Sequence, residues 1–307
     1  QGFATGLAAG GDATALRRAA ELVRVGLAGS LRDYRWTRSD GTTVRLGDLD
    51  YAGQPAGYVA QPSEVVNYVE NHDNHTLFDV AVLKLPLATS AEDRARAQVL
   101  ALATVAFSQG IAYFHAGGEL LRSKSLDRNS YDSGDWFNRL DWTGRANGFA
   151  AGLPPKPDNG DDWPLLRPRL EQPGIAPSPE LIDWTRRAFL DLLRIRSSST
   201  LFRLRTADDV QQRLTFLGTA ATPAVIAAHL DGRGYEGAAF AEIVYAVNAD
   251  GVPREVRAAA LRGAAFRLHP VHAADTAADR RARDARVDAD RGVLVVPPGT
   301  AVVFVRD

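Results

Sequence analysis

Val65-Val-Asn-Tyr-Val-Glu-Asn-His-Asp-Asn-His75 runs from a β-rich stretch, residues 65–69, straight into a polar cluster, residues 70–75. Further on, Ser90-Ala-Glu-Asp93 reads as a capping box. The stretch from Arg94 to Ser108 continues it with Val99, Leu102, Ala103, Ala106 and Phe107 on one apolar stripe. Gly110 stops this helix, and Ile111-Ala-Tyr-Phe-His115 is a second β-rich run, again followed by polar residues, His115-Ala-Gly-Gly-Glu119. Strand, helix, strand with a crossover of this length implies a parallel pair. Polar groups past the C-terminal ends of parallel strands are what a (β/α) barrel uses for its active site. The fold class expected is therefore α/β.

Outward from this unit, Leu16, Ala19, Ala20, Leu22 and Val23 predict a helix over 13–25, after a Gly10-Gly-Asp12 turn. The mixture of Gly, Asp, Tyr and Pro up to about residue 63 predicts a long loop, and residues 122–178 a second one. Ser178-Pro179 is a good N-cap and first-turn pair for a helix with Leu181, Trp184, Ala188, Leu192 and Ile195 on one side. From residue 200 the pattern changes to short alternating runs at 212–217, 224–230, 243–248, 293–296 and 301–305, separated by Gly, Pro, Asn and Asp. These predict a small antiparallel sandwich. The expected division is 1–199 and 200–307, with the Ala-, Arg- and Asp-rich stretch 273–290 as an exposed loop.

The chain has 45% hydrophobic residues, enough for a core, and 36 basic against 37 acidic side chains. So even a balance gives no global field for nucleic acid or an anionic membrane, and a neutral partner is expected. The absence of cysteine excludes disulfides and thiolate metal sites and leaves the compartment open. No apolar run approaches the ~20 residues of a membrane span, and no signal-peptide pattern is present, so a soluble chain is expected. A start at Gln1 with no methionine anywhere is expected of a fragment cut from a longer chain.

Asn71-His72-Asp73-Asn74 packs a carboxylate among hydrogen-bonding side chains where a strand opens into a loop. Such a group suits vicinal sugar hydroxyls; it equally suits a polar turn that caps a strand. The stretch from Arg122 to Asn138 joins dense donors and acceptors to Tyr131, Trp136 and Phe137, as a sugar site needs for hydroxyl edges and apolar faces. An ordered surface loop would also account for it. Asp161-Asp-Trp-Pro164 repeats the mixture. His72 and His75 lack the helical His-Glu-x-x-His context of a zinc site, so no metal is expected.

Tyr68-Val-Glu-Asn-His-Asp-Asn-His-Thr-Leu-Phe-Asp79, Ser108-Gln-Gly-Ile-Ala-Tyr-Phe-His-Ala-Gly117 and Leu121-Arg-Ser-Lys-Ser-Leu-Asp-Arg-Asn-Ser-Tyr131 together resemble the pullulanase and limit-dextrinase branch of the α-amylase superfamily. Ser133-Gly-Asp-Trp-Phe-Asn138, Asp162-Trp-Pro-Leu165 and Ser199-Thr-Leu-Phe-Arg203 extend the likeness. The resemblance implies the C-terminal part of a TIM-type (β/α)8 barrel followed by an all-β sandwich. It also implies retaining hydrolysis of α-1,6-glucosidic bonds in pullulan, limit dextrins and branched α-glucans, with nucleophile and acid/base upstream of Gln1. By carry-over, Asp73 is the transition-state-stabilising carboxylate and His72 assists it. Asn74, Arg128 and Asp161 are substrate contacts. The partners implied are a branched α-glucan and the N-terminal portion of the same enzyme. No cofactor is expected, calcium in the parent enzyme stays open, and secretion follows only from the family's substrates. An α-1,4-acting amylase, a glucanotransferase, or a non-catalytic carbohydrate-binding fragment remain the alternatives. One departure stands out: where many members of the superfamily read Gly-Asp-Glu, this chain has Gly117-Gly-Glu119, so its local polar network should differ.

Overall fold

A computed structural model describes residues 2–38, 40–218 and 223–307; Gln1, on which the fragment expectation rests, lies outside them. Helix α1 (Ala13–Leu27) starts where Asp12 accepts the N–H groups of Thr14 and Ala15, each at 2.8 Å, and buries Leu16, Ala20, Val25 and Leu27. The expected loop up to residue 63 contains two short antiparallel ladders, Arg35–Thr37 with Thr43–Arg45 and Asp50–Tyr51 with Gln54–Pro55. Two or three residues are too few to show a period in sequence.

Strand β1 (Val66–Asn67) leads into helix α2 (Leu77–Lys84), capped by Thr76, and helix α3 (Ala91–Ala106), capped by Ser90, whose Oγ accepts the Asp93 N–H at 3.1 Å. Strand β2 (Ile111–Ala112) returns parallel to β1, with Val66 opposite Ile111 and Asn67 opposite Ala112. The pairing is as expected, although each β-rich run keeps only two laddered residues. Among the described residues no further strand joins this pair, so no closed barrel is formed, while the α/β character is plain. Val66, Tyr68, Ile111 and Tyr113 remain between 38% and 53% exposed.

The second expected loop carries an unforeseen helix, α4 (Trp163–Leu170), which has Pro164 in its first turn and Pro168 inside it. Helix α5 (Pro179–Ser198) follows its Ser178 cap as expected. Arg196 in its last turn donates to the carbonyls of Ala106, Ser108 and Gly110, tying α5 to the turn between α3 and β2.

Beyond residue 200 come β3 (Leu214–Leu217), β4 (Val225–Asp231), β5 (Glu242–Asn248), β6 (Arg254–Arg257), β7 (Arg267–Leu268), β8 (Arg286–Asp288), β9 (Val293–Val296) and β10 (Thr300–Arg306). They form a five-stranded antiparallel sheet, β7-β10-β5-β4-β3, and a three-stranded one, β6-β9-β8. Period-two alternation sorts the residues of the larger sheet: Val244, Ala246, Val302 and Phe304 face Val256, Leu294 and Val296 of the smaller sheet. Ile243, Tyr245, Val247 and Val303 join a core with Leu27, Phe107, Leu192 and Phe202. Phe107 meets Tyr245 at 5.1 Å and Phe202 at 5.7 Å between ring centroids, and Tyr34 donates its hydroxyl to the Leu214 carbonyl at 2.8 Å. The core is thus continuous across residue 200.

The stretch 273–290 is not an exposed loop. Ala277, Ala278, Ala282 and Ala285 are buried, Asp191 accepts the Ala278 N–H, Trp184 donates to the Ala278 carbonyl, and Arg96 pairs with Asp279. Alanines tuck among Arg and Asp without producing an apolar run, which hides the burial from composition.

Candidate functional site

Past the C-terminal ends of β1 and β2 opens a cavity of about 480 Å³. Its floor on one side is His72, Asp73 and Asn74, and on the other Lys124, Ser130 and Asn138, with Asn129 and Tyr131 completing the rim. A cavity of about 530 Å³ against α1, β1 and α3 is somewhat larger, but Phe3, Leu22, Val23, Tyr58 and Tyr68 line it and no carboxylate, amine or imidazole does. Chemistry therefore points to the first cavity.

The loop that carries Asp73 is pinned at both ends. Glu70, 7% exposed, accepts the Leu77 N–H at 2.7 Å on Oε2 and so ties the end of the β1 segment to the first turn of α2. Its Oε2 also lies 3.8 Å from His115 Nδ1 on the β2 side. Asn71 Oδ1 accepts from the His72 N–H and from the Tyr113 hydroxyl, at 2.9 and 3.0 Å, a second tie between the two strand ends. Between these ties Asn74 takes a left-handed conformation, φ +54°, a region that Asn tolerates better than most residues. Its side-chain amide donates to Asp73 Oδ2 at 3.2 Å. His72, Asp73 and Asn74 are all exposed to the cavity.

The opposite wall comes from residues 122–138. Buried Asp127 organises it, accepting from Asn129 N–H and Asn159 Nδ2 on Oδ1 and from Ser133 Oγ on Oδ2. Ser130 and Asn138 exchange hydrogen bonds. Trp136, 59% exposed, donates Nε1–H to the Ala151 carbonyl and receives the Arg139 guanidinium 5.3 Å from its ring centre. The stretch is an ordered surface loop held by its own bonds, and Lys124, Asn129, Ser130, Tyr131 and Asn138 of it line the cavity.

His72, Asp73 and Asn74 come together here. Arg128 and Asp161 do not join them: both are exposed, neither lines the cavity, and the Arg128 backbone is held by Asn159. Lys124 is the residue that sequence reasoning missed. It is 3% exposed, and its Nζ donates to the His72 carbonyl at 3.4 Å. Burial lowers its proton affinity, while the carboxylates of Asp127, Asp79 and Asp73 act the other way. The available signal was its rarity, since only Lys84 and Lys156 share its type in a chain rich in arginine. Burial, and then the nearby Lys124, lowers the proton affinity of His75. Among the described residues no group of three His, Asp or Glu gathers to hold a metal, and no helix is long and apolar enough to cross a membrane.

The altered network at residues 117–119 has a structural reason. A Cβ on Gly118 would stand 2.6 Å from Glu70 Oε1, so the Glu70 carboxylate fills the space that a side chain at 118 would need. Glu119 turns back to accept the Gly117 N–H at 3.0 Å.

A family model for the C-terminal region of pullulanase-type α-1,6-glucosidases matches residues 144–307. The chain is 41% identical to pullulanase 1, chloroplastic, of Arabidopsis thaliana over 99% of its own length and 34% of that protein's. It is 40% identical to a pullulanase of Klebsiella aerogenes over 67% of this chain and 19% of that one. The crystal structure of PulA from Klebsiella oxytoca superposes with a TM-score of 0.89 at 32% identity, covering 99% of this chain and 30% of the other. The maltotriose complex of PulA from Klebsiella pneumoniae gives 0.86 at 34% identity, covering 94% and 31%. The chain therefore spans about a third or less of the length of these relatives. With more than half of its residues matched by the family model and its whole fold shared with solved pullulanases, the chain belongs to the pullulanase-type α-1,6-glucosidase family.

Proposed function

We propose that the chain supplies part of the active site of a starch-debranching glycoside hydrolase, one that cleaves α-1,6-glucosidic bonds in pullulan, limit dextrins and branched α-glucans with retention. The observation that carries this is the position of Asp73, exposed in a polar cavity past the ends of a parallel strand pair, with only Asn74, among the described residues, hydrogen-bonded to its carboxylate. Its free lone pairs suit two neighbouring sugar hydroxyls, whose bonds strengthen as the ring flattens toward an oxocarbenium-like transition state. In this reading His72 and Asn74 donate to the same sugar, while Arg128 and Asp161 meet glucan that extends beyond the cavity.

Retaining hydrolysis needs a nucleophile and an acid/base roughly 5 Å apart, and the proposal assigns both to an N-terminal portion of the enzyme. The exposed outer sides of Val66 and Ile111 support that portion as a partner, since strands of a closed barrel would cover them. Residues 1–199 are then the last part of the (β/α)8 barrel and 200–307 the sandwich, a division of architecture across one shared core. The maltotriose bound to the Klebsiella pneumoniae relative is the kind of ligand the cavity would hold.

The test is Asp73→Asn in the complete enzyme, assayed on pullulan, branched limit dextrin and linear amylose. Turnover on pullulan should fall by roughly 100-fold or more with folding intact, as when a group acting in the transition state is removed. Near-normal turnover removes Asp73 from the mechanism, and a preference for amylose in the unmodified enzyme removes the α-1,6 assignment.

A further inference from the structure

Lys84 and Lys156 stand in solvent, whereas Lys124 is 3% exposed. An ammonium carries three N–H donors and no acceptor, and burying it is costly unless those donors are used. The bond from Lys124 Nζ to the His72 carbonyl is long, 3.4 Å, and it is the amine's one hydrogen bond among the described residues. The remaining donors belong to a residue that lines the same cavity as Asp73.

What holds this amine is unusual. The segment around it contains three buried non-glycine residues in the left-handed region, Leu121, Ser125 and Leu126, with φ of 57°, 53° and 64°. Such a conformation persists only where the surroundings over-determine it. Leu121 is held by Asn147, whose amide donates to its carbonyl, whereas residues 123–126 are fastened by Asp79, in the first turn of α2 and wholly buried. Its Oδ1 accepts the Ser123 hydroxyl at 2.5 Å and its Oδ2 the Lys124 N–H at 2.8 Å, with the Leu126 N–H also directed to the carboxylate. Ser123 Oγ in turn accepts the Ser125 N–H at 2.9 Å. One carboxylate thus fastens the Lys124 segment to the helix whose start follows the Asp73 loop, and the separation of the amine from Asp73 is set through it.

We infer that Lys124 is a substrate-binding residue, donating to sugar hydroxyls beside Asp73, and that Asp79 is the positioning residue that places it. The inference deepens the glycosidase reading and rests on it. A cation at this point matches a glucan: its donors complement the acceptor-only carboxylate of Asp73, so adjacent hydroxyls of one sugar can receive and give hydrogen bonds in opposite senses.

The experiment compares Lys124→Met, Asp79→Asn, Ser123→Ala and the Lys124→Met/Asp79→Asn double variant in the complete enzyme. It measures KM and kcat on pullulan, affinity for maltotriose, and the rate at which an amine-acylating reagent modifies Lys124, followed by peptide mapping. Lys124→Met should raise KM and weaken maltotriose at least about 10-fold, the loss expected of a charged hydrogen bond, with less effect on kcat. Asp79→Asn sets an amide N–H₂ against a donor, so it should move KM in the same direction and make Lys124 react several-fold faster. Because both act through one amine, the double variant should be no worse than the worse single one. Unchanged KM and affinity in Lys124→Met overturn the binding role, and multiplied losses in the double variant overturn the link between the two residues. Should Asp79→Asn not fold, Ser123→Ala, which leaves the Asp79 bond to the Lys124 N–H, must show faster labelling and a raised KM, and unchanged values overturn the positioning role. If the unmodified enzyme does not cleave pullulan, the glycosidase reading falls. Unchanged labelling in Asp79→Asn still overturns the positioning role in that case, since labelling needs no catalysis.

Discussion

Tyr245 and Ile111 are both large apolar residues on strands of this chain, and they are 1% and 50% exposed. Tyr245 lies in a five-stranded sheet with one face on α-helices and the other on a second sheet, so both faces find their cover within the chain. Ile111 lies in a two-stranded parallel pair with an exposed face, held by Val65, by Asn67 donating to the Gln109 carbonyl, by Gln109 bonded to Leu201 and Leu204, and by Phe114 against Phe189. A pair of strands this short has little stability of its own. The site therefore stands on the less complete part of the fold and borrows rigidity from the more complete one, through Phe107, Gln109 and Arg196.

The sharpest way to break this comparison is Phe107→Ala. Emptying the space between Phe202 and Tyr245 should cost about 3–5 kcal/mol, and both regions should lose stability in a single urea transition. Two transitions, of which only one shifts, would make the regions independent.

The next effect concerns the anchoring of the site. Burial pushes the Asp79 carboxyl up to about 6, against the donors that favour its charged form. A carboxyl that holds its proton more tightly in the fold contributes stability that is fully present below its ordinary pKa of 3.8 and lost as the pH rises through about 6. The stability difference between the native chain and Asp79→Asn should therefore fall by about 3 kcal/mol from acid to neutral pH. A difference that stays flat across urea titrations at a series of pH values would show that this carboxyl titrates as in the unfolded chain.

The smallest effect is expected at the exposed pair. In the 307-residue chain Val66→Thr with Ile111→Thr should change stability by less than about 0.5 kcal/mol while reducing aggregation. In the complete enzyme the same pair should cost several times more if upstream strands cover it. Equal costs in both would place the pair on a true outer surface.

Elements that announce themselves locally were legible in the sequence: the turn that ends at Asp12, the caps at Ser90 and Ser178, and the apolar runs of β4, β5 and β10. That those runs are apolar on both faces was less visible, because a doubly covered strand shows no polar alternation. Helix α4 escaped because two prolines break its pattern, and β8 because three residues make no period. At the site, Asp73 could be read because its neighbours in sequence are its neighbours in space. Lys124 could not, because what places it is a carboxylate 45 residues earlier in the chain. Arg128 shares the Lys124 segment in sequence without sharing its cavity.

The bare backbone at Gly118 couples two positions that are distant in sequence, 70 and 118, through one close approach. With Glu70 Oε1 only 2.6 Å from where a Cβ would begin, a side chain at 118 requires the end of Glu70 to shift, and the same carboxylate, through Oε2, holds the Leu77 N–H that starts α2. An aspartate there would set two acids against each other, and one of them would have to keep its proton. Glycine at 118 and glutamate at 70 should therefore be inherited together, and exchanged together, so that a change at either alone leaves an enzyme less fit than both the ancestor and the double exchange.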